Sequence, residues 1–88
     1  METHTTILRP KDVAQALGLS LPTLYRRIRQ KLFPEPILHG GNMSIWPSDW
    51  VHAYNEAVVS GATDEELQAL TVHLTKKAKL RMPKLMSR

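Results

Sequence analysis

KDVAQALGLSLPTLYRRIRQK, residues 11 to 31, decides the fold, because it reads as two short helices around a glycine turn. Val13, Ala14 and Leu17 fall on one helix face at about 100° per residue, and Pro10 is tolerated in the first turn. Gly18 ends that helix, since it takes the left-handed backbone of a sharp turn without a Cβ penalty. Leu19 follows as a plug between the helices. Ser20 caps the second helix through its hydroxyl, and Pro22 comes too early in it to remove a needed N–H. Leu24, Ile28 and Leu32, spaced i, i+4, i+8, mark its buried face. The spacing predicts a helix-turn-helix.

The face opposite that stripe carries Pro22, Thr23, Arg26, Arg29 and Gln30, with Tyr25 and Arg27 at its flanks. Arg and Gln can make paired hydrogen bonds to base edges in the major groove of double-stranded DNA, while Ser20, Thr23, Tyr25 and Arg27 can hold phosphates. A few arginines on a helix more commonly mean a solvated cationic face. The tight glycine turn and the serine cap in front of them favour the DNA reading.

The charge distribution points the same way. The net charge is +4, but residues 1–31 hold six Lys or Arg against Glu2 and Asp12, and residues 67–88 hold six Lys or Arg and no acid. Between them, residues 32–66 hold six acids and no Lys or Arg. Two basic ends around an acidic middle suit a polyanion held by the first helices and the tail. The 88 residues allow one small domain with a modest core, so a second copy would add stability. There is no cysteine, which excludes disulfides and thiolate metal sites. METHTTILRP at the start lacks the apolar run of a signal peptide, and no stretch approaches membrane-spanning length. The expected location is the cytoplasm, with no membrane contact.

Taken in order, residues 1 to 6 read as an unstructured lead, with Ile7 and Leu8 first to touch the core. Phe33-Pro34-Glu35-Pro36 enforces an extended path with Phe33 as its anchor. Residues 37–39 and 43–46 read as two short strands around Gly40-Gly41-Asn42, a β-hairpin wing. Ser48 is a plausible cap for a helix from about Asp49 to Val58, with Trp50, Val51, Tyr54 and Val58 inward and Gly61 as the stop. Thr63-Asp64-Glu65-Glu66 is a capping box for a last helix to about Leu80. Leu67, Leu70 and Leu74 line one face of that helix, which should pair with a symmetry mate or dock on the domain. Its acids lie at the N-terminus and its lysines at the C-terminus, as the helix dipole favours. Pro83 ends the order and Lys84 to Arg88 form a loose tail. The division is a DNA-binding domain over 1–60, then a C-terminal helix and basic tail over 61–88. The fold class is mainly α with a small β-hairpin wing: a winged helix-turn-helix plus an additional C-terminal helix.

With these elements in place the chain resembles the AlpA-like phage regulators and related excisionases, small winged-helix proteins of the MerR-like superfamily. The resemblance covers roughly residues 8 to 58. It rests on Val13, Gly18, Ser20, Thr23-Leu24-Tyr25-Arg26, Ile28, Phe33-Pro34-x-Pro36, Gly40, Trp46 and Val51, with Tyr54 where the family often has Trp. Lys31 stands where the family usually has Gly, and Asn42 occupies a wing-tip position that is commonly Arg. Trp50 replaces a usual acid, either as an exposed aromatic at a partner interface or as a core residue. The resemblance implies sequence-specific DNA binding in a phage or mobile element, through Ser20, Pro22, Thr23, Tyr25, Arg26, Arg27, Arg29, Gln30 and Asn42. The role would be transcriptional regulation or control of excision, the latter beside an integrase. A homodimer or a cooperative assembly on DNA is expected.

Other classes fit less well. His4, His39, His52 and His73 have no metal-ligand spacing, and no glycine-rich phosphate loop follows a strand, so neither catalysis nor a cofactor is expected. Asp64, Glu65 and Glu66 are explained by capping and the helix dipole. The alternative is an adaptor that docks through the winged helix, as the small DNA-packaging subunits of phage terminases do alongside DNA.

Overall fold

Three helix ends built alike set the path of the chain. The computed structural model describes residues 6–80, with side chains to residue 77. Helix α1 (Pro10–Leu17) ends where the Gly18 N–H donates to the Gln15 carbonyl and the Leu19 N–H to the Ala14 carbonyl, at 3.1 and 2.8 Å. Helix α2 (Leu21–Arg29) ends the same way, Lys31 N–H to Ile28 and Leu32 N–H to Arg27, at 3.0 and 2.9 Å. Helix α3 (Ser48–Val59) repeats the pattern with Gly61 to Val58 and Ala62 to Ala57. Each pair satisfies carbonyls that the helix itself leaves open, and each needs one residue in the left-handed region. Gly18 and Gly61 provide it at φ +71° and +85°, but at the end of α2 Lys31 takes it, at φ +68°.

Between α2 and α3 lie strands β2 (Ile37–His39) and β3 (Met43–Pro47), which form an antiparallel hairpin pairing Ile37 with Ile45 and His39 with Met43. Gly40 and Gly41 turn the loop with positive φ. A third strand, β1 (Ile7–Leu8), pairs with Pro47 and Trp46 of β3, so the sheet order is β1-β3-β2. The described residues thus form a mainly helical fold of four helices with a small three-stranded antiparallel sheet. None of these helices is long and apolar enough to cross a membrane.

Every element except β1 and β2 contributes a buried residue to the core: Val13, Ala14, Leu24, Ile28, Leu32, Phe33, Trp46, Trp50, Val51, Tyr54 and Leu67. Phe33 sits edge-on to Tyr54, with ring centroids 5.2 Å apart at 88°, and lies 6.4 Å from Trp46. Trp46 is fully buried, and its indole N–H donates to the Pro34 carbonyl at 3.0 Å, so neither polar group is stranded.

Four sequence expectations need correction. The lead does not extend to Thr6, whose N–H donates to Ser48 Oγ at 2.8 Å while its carbonyl accepts from the Ser48 N–H at 2.7 Å. Ser48 is the first residue of α3, with its hydroxyl engaged by Thr6 just ahead of β1, and Pro47 holds the cap position. Ile7 is 63% exposed on the sheet edge, and only Leu8 reaches the core. Val58 is 46% exposed, and in the last turn of α3 it is Ala57 that packs against the core. Trp50, left open by the sequence, is buried. Residues 1–5, Pro83 and the tail from Lys84 lie outside the described residues.

Helix α4 (Asp64–Leu80) opens with the expected reciprocal cap, Thr63 N–H to Glu66 Oε1 at 2.9 Å and Glu66 N–H to Thr63 Oγ1 at 3.1 Å. It docks on its own chain through buried Leu67, with Leu74 packed against the core and Leu70 half-buried. Gln68 Nε2 donates to the Gln30 carbonyl at 3.1 Å and so ties α4 to the end of α2.

A left-handed non-glycine residue costs roughly 1–2 kcal/mol, part of which glycine gives back through the larger entropy of its unfolded chain. Lys31→Gly should therefore raise stability by about 0.5–1 kcal/mol, while Gly18→Ala, which meets no steric neighbour but keeps φ +71°, should lower it by about 1 kcal/mol. Urea denaturation monitored by tryptophan fluorescence measures both.

Candidate nucleic-acid interface

Helix α2 is nine residues long, carries three arginines and no acid, and is held at both ends. At its start Ser20 Oγ accepts from the Thr23 N–H at 3.3 Å and donates to Thr23 Oγ1 at 2.9 Å. At its end the Gln30 and Lys31 N–H groups bond back to Arg26 and Ile28. Arg26, Arg27 and Arg29 occupy the last turn, where the negative end of the helix dipole favours cations.

Leu24 and Ile28 are buried, and rotation by helical period then places Arg26 on the opposite side. Pro22, Tyr25, Arg26, Arg29 and Gln30 are exposed, and Thr23 and Arg27 are half-buried at the edges of the face. Arg26 and Arg29 make no ion pair with any described residue. Their guanidinium forks are thus available for paired contacts with planar acceptors. The Ser20 hydroxyl is partly occupied by the cap, so its remaining capacity is that of a helix N-terminus, where free N–H groups favour anions.

Arg27 differs from its neighbours. Its Nη1 donates to Tyr54 Oη on α3 at 2.9 Å, across 27 residues of sequence. Tyr54 is buried, and its hydroxyl finds in Arg27 the partner a buried phenol requires. The contact turns one arginine of the set sideways and cross-links α2 to α3. Sequence reading placed Tyr54 in the core but missed this role. The signal was present in the buried phenol, which needs a donor or acceptor nearby. A second cross-link was also missed: Asn55 Nδ2 on α3 donates to the Ala16 carbonyl at 3.2 Å, near the end of α1.

Asn42 lies exposed in the hairpin loop, and the hairpin carries no Lys or Arg. Its exposed residues include Ile37, Leu38 and Met43, with Leu38 at 61%. The structure therefore groups Ser20, Pro22, Thr23, Tyr25, Arg26, Arg29 and Gln30 on one helix, sets Arg27 at its edge, and puts Asn42 on a separate element. Arg9 and Lys11, at the start of α1, are further exposed cations that the sequence reading did not single out. No group of three or more His, Asp or Glu side chains suited to a metal ion occurs among the described residues. No protein-family model, curated protein or solved structure matches the chain.

Tyr54→Phe should cost about 1 kcal/mol by leaving the Arg27 guanidinium without its acceptor. Arg27→Met should cost a similar amount by orphaning a buried hydroxyl, and the double variant should lose less than the sum of the two. Denaturant titration of the three variants reads the coupling.

Proposed function

We propose that the chain is a sequence-specific double-stranded DNA-binding protein of the winged helix-turn-helix type, with α2 as recognition helix and the β2–β3 hairpin as wing. One observation carries the reading: an acid-free helix face with Arg26 and Arg29 unpaired, locked at one end by Ser20 and at the other by the Lys31 turn. A rigid helix presenting unpaired guanidinium groups spends little entropy on ordering when it meets a groove. The resemblance of residues 8 to 58 to AlpA-like regulators and excisionases supports a role at phage or mobile-element DNA, as regulator or as excision factor beside an integrase. The adaptor reading is favoured by a separate observation, the exposed apolar Ile37, Leu38 and Met43 on a hairpin without cations.

The test is selection of bound duplexes from a random pool, followed by binding isotherms on the selected and a scrambled sequence. Arg26→Ala should cost roughly 1–3 kcal/mol on the selected site and much less on the scrambled one. Lys77→Ala should weaken both alike, and equal losses for Arg26→Ala on both DNAs would remove Arg26 from base reading.

Salt provides an independent check. With about three to five phosphate contacts per protomer, log affinity should fall by about 0.9 per contact for each tenfold rise in salt. A flat profile would favour the adaptor. Gel-shift titrations across a salt series report the slope.

A further inference from the structure

Strand β2 is an edge of the sheet, because the order β1-β3-β2 gives it a neighbour only at β3. Beyond that pairing, its backbone groups make no hydrogen bond to any described residue. All three of its residues are exposed, and none is the lysine or proline that commonly guards an open edge. A groove of about 550 Å³ opens along the same edge. Ile37 of β2 lines it and no residue of β3 does, which puts it on the open side of β2. Buried Phe33 and Trp50 form its floor, and Val72, 62% exposed, stands on its α4 wall. Lys31 and Glu35 also line it, and both are exposed without an ion pair among the described residues.

We propose that this edge and groove together bind an extended segment of a partner protein, one with apolar side chains at alternate positions, an acid near one end and a base near the other. The edge and the groove call for the same occupant. An open edge is completed by another strand, whose main chain supplies the missing hydrogen bonds while alternate side chains fill pockets. In an added strand the side chains on the Ile37 side of the sheet lie about 6.6 Å apart, and on that side they enter the groove. A helix laid in the groove would cover the apolar floor but leave the β2 backbone unpaired. Charge sets the rest of the match, since Lys31 favours an acid and Glu35 a base. Pro36 has no N–H, so strand pairing stops at Ile37 and the backbone share of the contact is short. The apolar side chains must then carry much of the affinity. Ile28 lines the groove from α2, and Arg26 lies on the opposite side of that helix, so the outward face of α2 stays free. Occupancy of the groove therefore does not depend on what α2 binds.

Titration of the full chain with the synthetic peptide acetyl-Asp-Val-Thr-Val-Thr-Val-Lys-amide, without DNA, tests the proposal. The peptide has no tryptophan, so emission reports on the protein alone, and two-dimensional NMR locates the contact. Saturable binding with a dissociation constant on the order of 100 µM is expected, with amide shifts at Ile37, Leu38 and His39. The same peptide methylated at every amide nitrogen, or with serine for every valine, should bind about tenfold more weakly, because the first loses strand pairing and the second the apolar contacts. Val72→Glu should weaken binding about tenfold with the melting temperature unchanged, given the exposure of that side chain. Lys31→Glu should weaken it about fivefold, and changing the peptide's Asp to Lys should restore it. No saturable binding up to about 1 mM peptide would overturn the proposal. So would undiminished binding of either altered peptide, of the parent peptide by Val72→Glu, or of both charge forms by Lys31→Glu. Shifts confined to residues away from β2 and the groove would also overturn it. So would shifts at Ile37 to His39 that follow protein concentration without peptide, since they would assign the edge to a second copy of this chain.

Discussion

The edge-to-face contact of Phe33 with Tyr54 is the constraint on which the rest of the structure leans. Phe33 lies between α2 and the hairpin, in a linker whose prolines at 34 and 36 deny it helical alternatives. Its ring is fully buried, and a phenylalanine in such a place is worth about 3–5 kcal/mol relative to alanine. The same contact gathers three elements. Tyr54 belongs to α3, Trp46 to β3, and Phe33 follows the end of α2. The polar ends of the two larger rings are both satisfied, Trp46 by the Pro34 carbonyl and Tyr54 by Arg27, so a cluster of this size enters the core without stranding a donor.

From that cluster the orientation of α2 follows. Leu24 and Ile28 press its inner side onto the core, Arg27 bolts one edge to Tyr54, and Gln68 of α4 reaches the Gln30 carbonyl at its end. A short helix of nine residues has little stability of its own. Its position is borrowed from three other elements, and the face with Arg26 and Arg29 is what remains after those contacts are made. In the proposed reading, base recognition depends on this arrangement because paired hydrogen bonds to base edges tolerate little angular error. The same core that stabilises the fold would then aim the contacts.

The hairpin and α4 follow different rules. The hairpin is held by Trp46 but exposes apolar residues where a cationic wing would carry Lys or Arg, so in the proposed reading phosphate attraction comes from α2 and its surroundings. Helix α4 spends one face on the core and keeps Val72 exposed beside it. In a chain of this size an intramolecular docking surface and an exposed helical face on the same element leave room for association without unfolding.

By itself the sequence determined the features that depend on residues within about four positions of one another. The turn at Gly18, the Ser20 cap, the inward Leu24 and Ile28, the Gly40-Gly41 loop and the Thr63–Glu66 box are all of this kind, and each is present. Tertiary structure decided what joins distant residues. Two residues, Ile7 and Leu8, carry no readable period, and they became a strand only because the edge of β3 offered them hydrogen bonds. Ser48, inside α3 and not at its cap, pairs with Thr6, 42 positions away, and Arg27 was drawn from the outward set by a phenol 27 positions away. Trp50 could have faced either way on α3, and in the assembled core it is buried. Lys31 accepted a left-handed backbone because the buried Leu32 and Phe33 behind it fix where the chain must turn. Local patterning states which residues can be helical, capped or buried, and the cost of leaving buried groups unpacked or unpaired selects among those options only when the whole core assembles.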